Sequence, residues 1–269
     1  MKARTFITIF ALTAAIVGCQ KGASAPDGQG KDGKPVPSAN KVGKLVIEDI
    51  EPGKGYAAQN GDLLTMLYEG KLANGKIFDG NMTTPDYKPV PNKDPFPLPL
   101  GGGMVISGWD KGLVGMKVGG IRKLSIPSDM GYGPNGTGDI PPNADLYFVV
   151  KCLDIVKKGE EFVIDTEDVK LGSGPAVKNG DKISVHYVGK LVSGKQFDSS
   201  RDRKKPYEFT VGQGEVVPGF DKGVVGMKKG GVRKVRIPPQ AAYGAAPNQG
   251  LPGNSVLIFE IEILSINGK

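Results

Sequence analysis

The stretch GWDKGLVGMKVGG, Gly108–Gly120, returns 111 residues later as GFDKGVVGMKKGG, Gly219–Gly231. Upstream the echo runs at an offset of 119: EDIEPGKGYAAQNGD (48–62) answers EDVKLGSGPAVKNGD (167–181), and LYEGKLANGKIFDG (67–80) answers HYVGKLVSGKQFDS (186–199). The change of offset gives the first copy eight extra residues between Phe78 and Gly101. A period above 100 residues lets each copy enclose a core of its own, so the repeat predicts two tandem domains rather than a solenoid. The 269 residues are long for one core and suit two. The organisation expected is a leader over 1–19, a linker over 20–43, a first domain over 44–157 and a second over 158–269.

Within a copy the patterning is that of strands. KISVHYV sets Ile183, Val185 and Tyr187 on one face and Ser184 and His186 on the other; Leu64, Met66 and Tyr68 keep the same parity in the first copy. In VLIFEIEIL, Leu257, Phe259, Ile261 and Ile263 alternate with Glu260 and Glu262, and the repeat places Cys152 at the position of Ile263. Forty-one glycines and twenty-one prolines favour short strands and many turns. The repeated opening stretch is the one good helix candidate. Ser107 is expected to cap it with Asp110 completing a capping-box-like pattern, Trp109, Leu113 and Val114 are expected on its apolar face, and the VGG glycines end it. One short helix against a twisted antiparallel sheet is an α+β domain.

The N-terminus reads differently. Lys2 and Arg4 precede an apolar run, Phe6–Val17, too short to span a bilayer and matching the core of a signal peptide. IVGC, Ile16–Cys19, resembles a bacterial lipobox, in which Cys19 would be lipidated and become the first residue after cleavage; Gln20 after it favours an outer membrane where the source has one. Residues 20–41 are rich in Gly, Pro, Ser and Lys and read as a flexible tether, so the domains are expected just outside a membrane, held by lipid alone. With Cys19 acylated, only Cys152 remains, and it reads as a small buried core residue.

Charge and composition narrow the chemistry. The net charge of +7 divides into six basic and two acidic side chains in 1–43, twelve and thirteen in 44–157, and seventeen and thirteen in 158–269. Only RDRKK, Arg201–Lys205, is a basic run; it reads as a solvated loop, and nothing here argues for a nucleic-acid partner. His186 is the single histidine and points away from the apolar face, which speaks against Ser–His–Asp or Cys–His nucleophilic systems. No His/Cys cluster has metal-ligand spacing, and no cofactor is expected. What recurs is aromatic: Tyr68, Phe78, Phe96, Trp109, Tyr132 and Phe148 in the first copy, and Tyr187, Phe197, Tyr207, Phe209, Phe220, Tyr243 and Phe259 in the second, with Leu98 at the Phe209 position. Asp79 and Asp198 follow Phe78 and Phe197 directly. Such a set is either core or the lining of an apolar cleft with a few polar handles.

The run VHYVGKLVSGKQFDSSRDRKKPYEFTVGQGEVVPGFDKGVVGMKKGGVRKVRIP, followed by AAYG and LIFEIEIL, strongly resembles the FKBP-type peptidyl-prolyl cis–trans isomerases. The resemblance covers nearly all of 160–266 and, outside the extra residues, about 44–156. It implies two tandem domains, each a twisted antiparallel half-barrel sheet wrapped around one short helix, with prolyl peptides bound between sheet and helix. It assigns the first pocket to Tyr68, Phe78, Asp79, Phe96, Val105, Ile106, Trp109, Tyr132, Ile140 and Phe148. The second would comprise Tyr187, Phe197, Asp198, Tyr207, Val216, Val217, Phe220, Tyr243, Leu251 and Phe259. Trp109 and Phe220 would form the floors. Tyr132 and Tyr243, with a backbone amide near Ile140 or Leu251, would hold substrate carbonyls, and Asp79 and Asp198 would either set the polarity of the cleft or fix the following loop. The resemblance implies rotation of Xaa-Pro bonds in extracytoplasmic polypeptides with no covalent intermediate, and the macrolide inhibitors of the family as ligands. A tethered chaperone that holds prolyl segments with little turnover is the competing reading.

The second copy departs from the family in Phe220, where tryptophan is usual, and in NQGLPGNS, where IPP is usual. The first keeps Trp109 and DIPP (Asp139–Pro142) but lacks a counterpart of Arg203, which in the family can pair with the pocket carboxylate. Its GNMTTPDYKPVPNKDPFPLP segment is read as a semi-rigid flap, either a tolerated surface insertion or a lip on the cleft.

Overall fold

The structure is a computed structural model that describes residues 41–269; the leader, Cys19 and most of the linker lie outside the described residues. The first sheet is built from β1 (Val46–Glu51), β2 (Leu63–Leu72), β3 (Ile77–Gly80), β6 (Phe96–Pro99), β7 (Ile121–Ile126) and β8 (Leu146–Val156), with a small β4–β5 hairpin (Met82–Thr83, Lys88–Pro89) between β3 and β6 and helix α1 (Ser107–Gly112) between β6 and β7. The strand order is β1-β7-β8-β2-β3, all antiparallel, and β6 takes the part of the β2 edge that β3 leaves free. The second sheet repeats this with β9 (Asp165–Lys170), β11 (Lys182–Leu191), β12 (Gln196–Ser199), β13 (Tyr207–Thr210), β15 (Val232–Ile237) and β16 (Leu257–Ile266), together with a β10–β14 pair (Ser173–Ala176, Lys228–Lys229) and helix α2 (Pro218–Val224).

Each sheet closes over its own core, as the period-2 patterning requires. Leu64, Met66, Leu124, Ile126, Val150 and Cys152 are buried in the first domain, and Ile183, Val185, Val235, Ile237, Ile261 and Ile263 in the second. Cys152 is fully buried opposite Met66, just as Ile263 stands opposite Val185, and burial pushes its thiol up to about 12.

The helices are held close to the sheet by what they lack. A Cβ on Gly108 would stand 2.4 Å from Ile126 Cγ2, and one on Gly112 would stand 2.8 Å from Leu124 Cδ2; Gly219 and Gly223 meet Ile237 and Val235 in the same way. The GWDKG and GFDKG spacing thus lays a bare helical edge on β7 and β15. Arg122 fastens the arrangement by donating from Nη1 to the carbonyls of Gly112 and Val114 while its other nitrogens grip Asp49 of β1; Arg233 does the same with Gly223, Val225 and Asp168.

Two expectations about the helix are corrected. Ser107 makes no cap; its hydroxyl donates to the Met130 carbonyl at 3.3 Å. The Asp110 carboxylate reaches backwards instead and accepts from Gly101 and Gly103 N–H, both at 2.9 Å, bracing the glycine-rich turn before the helix, as Asp221 does for Gly212 and Gly214. Val114 is exposed, because the helix ends at Gly112 before the predicted face can continue.

The proline-rich segment is divided between two surroundings: Phe96 turns towards Tyr68 and Trp109 of the first domain, and its neighbours turn to the second domain. Asn81 pins the segment to β2: its Oδ1 accepts from Tyr68 N–H at 2.7 Å, and its Nδ2 donates to the carbonyls of Asp94 and Met66. Pro95 and Pro97 face Leu191, Val192 and Asn254–Val256 of the second domain, and Asp94 pairs with Lys195 at 2.7 Å. A second clasp joins the domains at Arg236, whose Nε and Nη2 both reach the Asp154 carboxylate at 2.8 Å while Nη1 reaches Asp165 at 3.0 Å.

Candidate functional site

In the first domain, β2, β3, β6, the turn before α1, the helix itself and β8 converge on one open cavity of about 510 Å³. Its lining includes Tyr68, Phe78, Asp79, Phe96, Val105, Ile106, Trp109, Tyr132 and Phe148, nearly the whole expected set. The rings meet edge to face: Trp109 stands 5.2 Å from both Tyr68 and Phe148, and Phe78 stands 5.5 Å from Phe148. This is the arrangement that ring quadrupoles favour. Trp109 is only 4% exposed and forms the floor, and its buried indole N–H has no acceptor among the described residues.

Ile140 is the exception. It is buried in the core cluster and is not part of the cavity's lining. Its amide, moreover, donates to the Thr137 carbonyl at 2.8 Å, and that of Leu251 donates to Asn248 at 2.8 Å. Neither of these two amides is free to hold a substrate carbonyl, because each closes the tight turn that carries it.

The polar handles are built from neighbouring strands. Tyr68 on β2 donates its hydroxyl to Asp79 Oδ2 on β3 at 2.6 Å, and Gly80 N–H donates to Asp79 Oδ1 at 2.8 Å. Burial, then the bond to Asp79 and its negative charge, push the Tyr68 phenol well above its usual range. Tyr132, on the opposite wall, is 41% exposed and is also raised, first by burial and then by the Asp79 charge. Both hydroxyls therefore keep their protons at neutral pH, that of Tyr68 being donated to Asp79 in a hydrogen bond.

The second domain brings together the same positions. Phe220 stands 5.1 Å from Phe259 and 5.7 Å from Tyr187, Phe197 stands 5.6 Å from Phe259, and Tyr207 lies 6.2 Å from Tyr187. Phe209 adds a ring beneath Phe220 at 5.7 Å, where the first domain has Leu98. Val216 and Val217 pack against this core, Leu251 is buried within it, and Tyr243 is 38% exposed. Tyr187 donates to Asp198 at 2.5 Å; burial and that bond raise its phenol to about 12 although Arg203 opposes them. Arg203 forms a salt bridge with Asp198 and donates to the Tyr187 hydroxyl at 2.7 Å. Arg201 pairs with Glu262, so the two arginines of RDRKK are spent on ion pairs and Lys204 and Lys205 are left exposed. His186 is half-buried on the face away from the core, with Nδ1 3.0 Å from the Ser200 hydroxyl.

Two glycines belong to the site although no single-position reading singles them out. A Cβ on Gly70 would lie 2.7 Å from Phe148 and Phe78, and one on Gly189 would lie 2.7 Å from Phe197 and 2.8 Å from Phe259. The rings rest on bare backbone. The signal was present in the paired YEG and YVG of the repeat. Met104, 73% exposed at the mouth of the first cleft, left no such trace, since the second copy has Glu215 there.

The family model described as FKBP-type peptidyl-prolyl cis-trans isomerase matches residues 54–153 and again 174–264. The chain is similar to peptidyl-prolyl cis-trans isomerase FKBP10 of Mus musculus, with 36% identity over 211 residues covering 78% of this chain and 35% of that protein. It is similar also to peptidyl-prolyl cis-trans isomerase FKBP9 of Homo sapiens, with 34% identity over 233 residues covering 86% and 39%. Among solved structures, FkpA from Escherichia coli is 41% identical over 38% of this chain and 47% of that one, with a TM-score of 0.36. The chain thus spans well under half the length of these two curated relatives. With both domain copies matched, the chain belongs to the FKBP-type peptidyl-prolyl cis-trans isomerase family.

Proposed function

We propose that each domain binds a proline-containing segment in its aromatic cleft and accelerates rotation about the Xaa-Pro bond. The observation that carries this reading is the first cleft: an apolar floor of Trp109, walls of Tyr68, Phe78, Phe96 and Phe148, and protonated phenols at its rim. An Xaa-Pro bond rotates over a barrier of about 18–20 kcal/mol because twisting breaks amide resonance. The twisted amide separates less charge than the planar one. A water-poor aromatic cleft therefore binds it better than the ground state, and this difference in binding is catalysis. Tyr132 and Tyr243 serve as donors to substrate carbonyls. Asp79 and Asp198 hold the phenols of Tyr68 and Tyr187.

An NMR exchange or protease-coupled assay of the full chain on an Xaa-Pro peptide is expected to give a rate above the thermal background. The Tyr132→Phe/Tyr243→Phe double variant is expected to lose about tenfold, the effect of one hydrogen bond near 1.4 kcal/mol. No acceleration by the intact protein would sink the proposal. Suppression of client aggregation that survives the double variant would point to the chaperone reading instead. The macrolide inhibitors of the family should compete in either case.

The chain is further proposed to be an extracytoplasmic bacterial lipoprotein anchored through Cys19, in the outer membrane where the source has one. Lys2 and Arg4, the apolar run to Val17, IVGC and Gln20 support this. Cys19→Ala should move the protein from the membrane to the soluble fraction and abolish labelling by palmitate.

A further inference from the structure

The two clefts share their rings but not their charge. In the second domain Arg203 closes off the carboxylate: it bridges Asp198, donates to Tyr187, and holds its guanidinium 5.7 Å from the centre of the Tyr187 ring. In the first domain the chain runs Gly80-Asn81-Met82-Thr83-Thr84 at this place, and no basic side chain pairs with Asp79 among the described residues. Lys93, the basic residue of the proline-rich segment that returns to this turn, donates to the Gly80 carbonyl at 2.5 Å. Asp79 is exposed and lines the cavity, whereas Asp198 is half-buried beneath its arginine.

A carboxylate on the wall of an apolar cleft, lacking an internal cation, is a subsite for a cation carried by the ligand. We propose that Asp79 is a specificity-determining residue that favours prolyl segments with Lys or Arg beside the bound proline in the first cleft. In the second cleft Arg203 fills the equivalent subsite from within the chain and removes that preference. The inference rests on the prolyl-binding reading above. Low-dielectric walls strengthen such a pair relative to water, while the exposure of Asp79 limits it to about fivefold in affinity.

Trp109 is the single tryptophan of the chain, so its indole reports on the first cleft alone in the intact protein. Capped Ala-Xaa-Pro-Phe peptides with Lys, Leu or Glu before proline are titrated into the full chain while the Trp109 fluorescence or its indole NMR signal is followed. The Lys peptide is expected to bind about fivefold tighter than the Leu peptide, and the Glu peptide more weakly than either. The Lys-to-Glu ratio should shrink in about 0.5 M salt. It should fall to near one in Asp79→Asn, whatever the common affinity becomes, and persist in Asp79→Glu; the latter keeps the test decisive if the asparagine variant folds poorly. Equal binding of the Lys and Glu peptides, or a ratio that survives Asp79→Asn, overturns the inference while leaving the prolyl-binding reading intact. If no peptide moves the Trp109 signal, the inference falls together with the prolyl-binding reading of the first cleft.

Discussion

At the scale of single residues, the two copies differ most where a charge is either supplied or withheld. Burial by itself would raise the Asp198 carboxyl, but the bonds from Tyr187 and Arg203, the Arg203 charge and the Ser199 N–H together hold it below its ordinary value of 3.8. A carboxyl lowered on folding stabilises the native state fully above its unfolded value, and this contribution is lost as pH falls through the lower folded value. Following the Asp198 carboxyl by NMR from pH 5 downward should give a midpoint under 3.8. In Arg203→Ala the midpoint should rise, since the burial remains and the main cation is gone. A wild-type midpoint at or above the ordinary value would contradict the bridge. The Trp109-to-Phe220 exchange is subtler: each fills its floor, but only tryptophan brings a buried N–H with it.

At the scale of elements, the short helix is placed by its glycines more than by its apolar residues. Six or seven residues make a helix too short to be stable alone, so its position depends on tertiary contact. Gly108 and Gly219 lie against Ile126 and Ile237 so closely that even a methyl group must displace the isoleucine. Gly108→Ala and Gly219→Ala are each expected to cost about 1–3 kcal/mol in urea unfolding, as overpacking does. Lys111→Ala, on the exposed side of the same helix, should stay within about 0.5 kcal/mol. Equal effects at Gly108 and Lys111 would mean that the helix does not sit on β7 as described. The pattern GWDKG was legible as a helix. Its packing edge was not, because a glycine carries no hydrophobic signal.

At the scale of the whole molecule, the copies are joined by the residues in which they differ. Arg236 occupies the position of Ser125 in the first copy, and Asp154 the position of Ser265 in the second. Asp154 is nearly buried, with 10% of its side chain exposed, and Arg236 satisfies both of its oxygens. Removing one partner strands the other charge, at a cost of about 2 kcal/mol or more. Trypsin should accordingly cut after Lys157 or Lys158, between β8 and β9, several-fold faster in Arg236→Ala than in the wild type. Unchanged cleavage there would mean that the clasp contributes little to holding the domains together. The proline-rich segment reaches the same junction through Asp94, Pro95 and Pro97, while its Phe96 lines the first cleft.

The repeat and the strand parity were enough for the α+β class and the burial of Cys152, while the cleft lining was implied by the resemblance to the FKBP family rather than by the spacing of the aromatics, which fitted a core equally well. The class and the burial are properties of short-range patterning, which period and spacing encode directly. Tertiary structure decided what depends on approach between distant segments. It left Ile140 out of the cavity lining, turned Asp110 back towards the turn before its helix, and rested the rings on Gly70 and Gly189. The absence of an Arg203 counterpart was legible in the sequence, but the contrast between an Asp79 that lines the cavity and an Asp198 that lies beneath its arginine exists only once strand and loop are folded against each other.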